Sequence, residues 1–314
     1  LSEAGGAFPN PIYAGEILAV GFREAQRLLF APMQAANEAH ILMLVERGII
    51  DPADGAALFR ALADVEAAGP EAFTYDPAVE DLFFAVEGRV IAAVGVEIGG
   101  NLQIARSRND LAAVMNRLFI RERSLQVQRA LLRFRATLLD LAGDHGRTIM
   151  PGITHTQPAQ PTTLAHALLG VLGPLERDSE RLREGWARLN RSPLGVAAFT
   201  TTGFAIDREQ TARDLGMNGL VENGYDAVGT GDHMIEATQS LVTLVSGLSR
   251  FVYDLLVWTR REVGVLRIAD EFIQISSIMP QKRNPVVLEH VRARIGYVYG
   301  DAATVATMIH SAPF

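Results

Sequence analysis

The sequence predicts an all-α protein in which a smaller helical domain, residues 1–100, precedes a domain of long bundled helices, residues 101–314. Three observations carry that expectation. Apolar residues recur at helical spacing along most of the chain. Three stretches keep that spacing far longer than an ordinary globular helix. No convincing run alternates apolar and polar residues as a half-buried strand does, and neither an internal repeat nor a low-complexity tract is visible.

The elements follow in order. Asp51-Pro52-Ala53-Asp54 reads as a helix start, with Asp51 as N-cap, Pro52 at the first helical position and an acidic residue in the first turn. Leu58, Leu62 and Val65 then share one face, and Gly69-Pro70 ends the helix. The first long stretch runs from Asp110 to about Ala142, carrying Leu118, Val127, Leu131, Phe134, Leu138 and Leu141 without proline or glycine. The second runs from Thr162 to about Leu189 and is interrupted only by Gly170, Gly173, Pro174 and Gly185. The third, Asp232 to about Val263, carries Ile235, Leu241, Val245, Leu248, Val252 and Leu255 with Gly247 as its interior breaker. Helices of this length expose apolar stripes that one chain does not cover, so self-association through the bundle is expected. Polar, proline- and glycine-rich connectors lie at residues 99–110, 150–161, 192–207, 222–232 and 271–285, where functional side chains tend to sit.

Composition narrows the class. A hydrophobic share of 48% with 21% charged residues is ordinary for a soluble globular protein, and a net charge of −7 argues against nucleic-acid binding. Without cysteine, the chain has no disulfide, thiolate metal site or cysteine nucleophile. No uninterrupted apolar run approaches the roughly 18 residues of a membrane helix, and no signal peptide is visible, so a cytoplasmic protein without a membrane partner is expected. The chain opens on Leu1 and stops at Phe314 just after a helical stretch, and both ends are expected to be incomplete.

Lys282 is the one lysine among 29 basic residues. An ammonium is a compact charge with three rotatable donors, a task the rigid arginine fork does not duplicate. Its setting, Ser276-Ser277-Ile278-Met279-Pro280-Gln281-Lys282-Arg283-Asn284-Pro285, has the composition of a binding loop, and Met279-Pro280 suits a hinged, partly apolar lid. Arg106-Ser107-Arg108-Asn109-Asp110 precedes the first long helix and combines cationic forks with neutral donors, as a carboxylate site does. Asn109 or Asp110 reads equally well as a helix N-cap with surface arginines beside it. Thr154-His155-Thr156-Gln157-Pro158-Ala159-Gln160-Pro161 places a histidine able to donate or accept a proton near neutrality among hydrogen-bonding neighbours, although a lone histidine is more often structural. Glu80-Asp81 reads either as carboxylates that orient a substrate or as a solvated acidic pair at a helix start. Metal-ligand spacing, a phosphate-cradling glycine loop and a nucleophile-elbow serine are not found, so chemistry by proton transfer and charge stabilisation, without metal or cofactor, is expected.

Together these segments resemble the fumarase/aspartase superfamily and, within it, the argininosuccinate lyase family. Residues 276–285 are similar to the superfamily signature, serine-serine-x-methionine-proline-x-lysine-x-asparagine-proline. Residues 105–110 resemble the stretch that marks argininosuccinate lyases more narrowly, and Thr154-His155 matches a third shared segment. Pro193-Leu194-Gly195 and Ile206-Asp207-Arg208 extend the likeness, which runs from about residue 15 to residue 310. The resemblance implies a catalytic base at Ser276, with Lys282 as a charge beside the loop that carries it. His155 and Thr154 would hold and protonate the leaving side. Ser107, Arg108, Asn109, Ser277, Met279 and Asn284 would bind substrate with Asp81 and Gln160. It also implies a fumarase/aspartase-like bundle assembled as a homotetramer with active sites shared between protomers, and a C-terminal domain that this chain is expected to lack.

Departures from the family pattern are several. Gln274-Ile275 stand where threonine-glycine is usual, Gln103-Ile104 where histidine and threonine are, and Leu111 replaces a glutamine. Phe83 replaces a histidine, and Pro158 and Gly231 stand where argininosuccinate lyases tend to have arginine. The implied function is a lyase that eliminates fumarate from an N-substituted aspartate by C–N cleavage. Argininosuccinate is the nearest named substrate, and an aminopolycarboxylate of the ethylenediamine-disuccinate type is the competitor. A catalytically silent, crystallin-like relative and an adenylosuccinate-type lyase remain as further readings.

Overall fold

The computed structural model describes residues 8–310, 312 and 313, so both chain ends, on which incompleteness is expected, lie outside the described residues. The chain divides into two compact units. Among the described residues, the first holds residues 8–122 and 189–230, the second residues 123–188, 231–310, 312 and 313. The first unit thus extends past residue 100 and takes in a later segment, a pairing by long-range contact that local sequence pattern does not encode.

In the first unit a helical lead-in over residues 11–18 runs into α1 (Ala19–Leu28), followed by α2 (Phe30–Glu46), α3 (Pro52–Ala68) and α4 (Leu82–Val94). Asp51 does hold the N-cap position of α3, but its side chain makes no capping hydrogen bond; Pro52 at the first position supplies the start. Gly69, with φ of 75°, ends α3 as expected. Gly55 lets α3 lie close on α2, because a Cβ there would meet Val45 Cγ2 at 2.2 Å. Met33, Leu44, Leu58, Leu62, Val86 and Val90 are buried together with Leu111, Val114, Leu194 and Leu215 in one core. Burying side chains of this size contributes roughly 1.5–3 kcal/mol each.

The second unit is the long-helix part. Helix α5 (Arg108–Asp144) continues into it, followed by α6 (Leu164–Leu189), α9 (Asp232–Trp258) and α10 (Val286–His310); two short helices of the first unit, α7 (Arg208–Asp214) and α8 (Gly224–Gly229), lie between in sequence. The three long stretches are helices as expected, with α5 starting two residues earlier, α6 two later, and α9 ending at Trp258 rather than near Val263. Leu131, Leu138, Leu168, Leu175, Leu244, Phe251 and Trp258 form the core of this unit. By length and apolar composition α9 also reaches the range of a membrane span, although Phe251, Val252, Val257 and Trp258 are buried. Leu132, Leu139, Leu169, Tyr253, Tyr297 and Met308 stay exposed on the long helices, the uncovered stripes that the sequence foretells.

Two antiparallel ribbons interrupt the helices. β1 (Ile149–Thr154) pairs with β2 (Gln157–Thr163), and β3 (Gln274–Ile275) with β4 (Arg283–Asn284). The sequence treats both regions as connectors. Pro151, Pro158 and Pro161 obscure the first pairing, and it tolerates them because a two-stranded ribbon is all edge, with a register irregularity between Pro151 and Ile153.

Candidate active site

The first group of candidate residues is the corner where α5 begins. Ser107 is the cap: its Oγ accepts from the Asn109 N–H at 3.2 Å, and Asp110 Oδ1 accepts from the Ser107 N–H at 2.9 Å. This is a reciprocal capping arrangement, so neither Asn109 nor Asp110 is itself the N-cap. Asp110 is fully buried, and its other oxygen accepts from the Gly195 and Ala197 N–H groups, each at 2.9 Å. Asn109 Nδ2 donates to Ala198 O at 3.3 Å, so the corner and the 195–198 segment are stitched together. Burial pushes the Asp110 carboxyl up, against the opposing pull of the three N–H donors and Arg106. Arg106 is itself buried and pushed down to about 10 by desolvation, with Asp110 and Glu87 opposing. It remains a cation at neutral pH.

Arg108 is exposed at this corner and already engaged. Its Nη1 donates to Asp81 Oδ2 at 2.9 Å and to Glu80 Oε1 at 3.4 Å, and these carboxylates raise its pKa despite some desolvation. Asp81 is also the N-cap of α4, accepting from the Phe84 N–H at 3.1 Å. The acidic pair therefore stands at a helix start, one of the two readings that sequence spacing leaves open, and its carboxylates pair with Arg108. Glu80 has φ of 46°, a left-handed conformation that a non-glycine residue takes at a cost.

The second group lies on the β1–β2 hairpin. Thr154 pairs with Gln157, leaving His155 and Thr156 as a two-residue turn with φ of 53° and 62°. Such a tight hairpin turn needs positive φ at both centres, which asparagine-glycine usually supplies. Here a histidine and a β-branched threonine adopt it, holding the imidazole on a strained, exposed tip. Gln160 is exposed on β2.

The third group is the Ser276–Lys282 loop between β3 and β4. Ile275 pairs with Arg283 and Gln274 with Asn284, which closes the loop at its feet. Gln274-Ile275 thus serve as strand residues. Arg283 donates to Asp270 and, at 3.0 Å, to Ile268 O, anchoring one foot. Inside the loop, Ser276 Oγ accepts from the Met279 N–H at 3.1 Å and the Lys282 N–H donates to Met279 O at 3.0 Å. Ser277, Ile278, Met279 and Lys282 are exposed, while Ser276 and Asn284 are half-buried.

Within the second unit, no hydrogen bond among the described residues joins the hairpin tip to the Ser276 loop. The hairpin tip is set by its turn and the Ser276 loop by its own internal hydrogen bonds. Reading the sequence missed Asp110 as an organiser, although serine followed three residues on by an acidic residue is the capping signature. It also missed Phe84, whose ring lies under Arg108, for which no sequence signal exists. At Gly231 a Cβ would meet Ile309 Cδ1 at 2.8 Å, so a side chain there requires the Ile309 side chain on α10 to shift. Among the described residues no group of three or more histidine, aspartate or glutamate side chains is arranged to hold a metal ion.

Comparison with known proteins bears on these groups. A family model described as Lyase matches residues 26–300. Argininosuccinate lyase 1 of Shouchella clausii is 42% identical over 264 residues, covering 84% of this chain and 53% of the relative. The argininosuccinate lyase of Natronomonas pharaonis is 44% identical over 289 residues, covering 92% of this chain and 58% of the relative. Among solved structures, EDDS lyase in complex with formate superposes with a TM-score of 0.85 at 31% identity, covering 99% of this chain and 61% of that one. The chain spans little more than half the length of the curated relatives it matches.

Proposed function

Because the chain belongs to the Lyase family, on its argininosuccinate lyase branch, we propose that it carries a carbon–nitrogen lyase activity releasing fumarate from an N-substituted aspartate. The observation that carries this reading is the loop from Ser276 to Asn284, a serine, a lone lysine and an amide on one short ribbon-closed loop. In the reaction the Ser276 alkoxide takes the proton from the carbon beside a substrate carboxylate. The electron pair moves onto that carboxylate as an aci-carboxylate, whose added charge Lys282, Asn284 and loop N–H groups stabilise. The pair then returns to form the double bond and expels the amine, to whose nitrogen His155 gives a proton with Thr154 beside it. Arg108, Ser107 and Asn109 hold the carboxylates with Asp81, Gln160, Ser277 and Met279 around them. A serine serves as base only where a closed loop excludes water from it, and an exposed loop hinged at two feet suits that closure.

The likeness to EDDS lyase at 31% identity supports a second reading of the leaving group, an aminopolycarboxylate, as does the loss of arginine at Pro158 and Gly231. A homotetramer with shared sites, working in the cytoplasm, belongs to the same proposal. Apolar side chains left exposed on the long helices, Leu132, Leu139, Leu169, Tyr297 and Met308, support the self-association. The test is fumarate release, followed by ultraviolet absorbance, from argininosuccinate and from a panel of N-substituted aspartates. Ser276→Ala should lower turnover by at least about 10²–10⁴-fold with the fold unchanged. A variant that keeps its rate would remove Ser276 from the role of base, and no fumarate from any member of the panel would leave a structural, crystallin-like protein.

A further inference from the structure

The motif around Arg108 supplies a guanidinium but not what aims it. Asp81 does two things at once: Oδ1 accepts from the Phe84 N–H at 3.1 Å and Oδ2 from Arg108 Nη1 at 2.9 Å. One carboxylate thereby fixes the first turn of α4 and the cation together. That first turn carries the Phe84 ring, and Arg108 Cζ lies 4.7 Å from its centroid, within cation–π range. Phe83 meets the same ring edge-on, with centroids 5.3 Å apart, and Phe83 is buried. The ring under Arg108 is thus braced from behind as well as from its backbone. Both carboxylate contacts use Nη1, and no described residue bonds to Nε or Nη2. A planar fork seated on a ring and tied at one nitrogen presents its other edge in a set direction, the geometry that a bidentate carboxylate contact needs.

We propose that Phe84 is a positioning residue: its ring, held by Asp81 and Phe83, seats Arg108 so that the Nε–Nη2 edge faces a substrate carboxylate. This rests on the reading of Arg108 as a carboxylate-binding residue. Without the ring only the Nη1 contacts would orient the fork and the ligand would have to order the rest, so the ring acts on binding more than on the chemical step. It also ties a departure from the family pattern to function, since Phe83 stands where a histidine is usual.

Fumarate is the probe, titrated calorimetrically into the full chain, with fumarate release measured in parallel. Phe84→Leu should weaken fumarate binding about three- to fivefold and raise KM to match while leaving kcat within about twofold. Phe84→Tyr keeps the π-face and should bind like the parent. In an Arg108→Ala background, Phe84→Leu should change nothing further. If Phe84→Leu fails to fold, Phe84→Met, of similar volume and without a ring, takes its place. Equal losses in the leucine and tyrosine variants, or the same loss with and without Arg108, would make the ring mere packing and overturn the proposal. Loss on Arg108→Ala with none on Phe84→Leu sinks the positioning role alone. Undiminished binding by Arg108→Ala, or no binding by the parent, defeats the carboxylate reading and the proposal with it.

Discussion

His40 shows how far a single residue can depart from its sequence context. It lies on α2, almost fully buried, with Nε2 2.8 Å from Ile104 O. Burial, with Arg106 nearby, pushes its pKa down to about 3 from 6.5. The folded protein therefore keeps His40 neutral where the unfolded chain takes up a proton. The unfolded state binds more protons between about pH 3 and 6.5, so stability is full above that window and falls as the pH drops through it. The expected slope from this one group is about 1.4 kcal/mol per pH unit. Urea unfolding of the parent and of His40→Gln between about pH 4.5 and 7 checks it. A parent slope no steeper than the variant's would mean that His40 is protonated in the fold. Ser107, Arg108 and Asn109 stand out in the sequence by type; Ser107 caps the helix through near neighbours, but the partners of Arg108 and of the Asn109 side chain lie far away in the chain.

At the scale of elements, the start of α5 and the segment after α6 are one construction around Asp110. A fully buried carboxylate accepting three backbone N–H bonds at 2.9 Å holds Ser107, Gly195 and Ala197. Arg208 braces the same segment through Leu194 O at 3.0 Å and Val221 O at 2.8 Å. Asp110→Asn replaces one acceptor oxygen with a donor, leaving an N–H facing an N–H. A loss of about 2–3 kcal/mol in unfolding free energy is expected, read from the shift in urea midpoint. A change under about 0.5 kcal/mol would show that the corner does not depend on this clamp. Helix lengths were legible here because periodicity is local. The ribbons were not, since their strands are short and proline-bearing and their pairing depends on the turns that close them.

For the whole molecule, the exposed Leu132, Leu139, Leu169, Tyr297 and Met308 on long helices predict self-association. Light scattering of the purified chain should give about four times its 34.1 kDa mass. A well-folded monomer at that measurement would contradict sites shared between protomers. The amino-acid sequence by itself determined the all-α class, the three long helices and the motif segments, because helical period and motif identity are properties of neighbouring residues. Only the tertiary structure decided that residues 189–230 join the first unit, that Asp110 rather than its neighbours organises the corner, and that Phe84 underlies Arg108. Each of those depends on residues tens of positions apart meeting in a buried or half-buried place, where desolvation makes a carboxylate seek donors and a cation seek a ring. No local spacing encodes that choice.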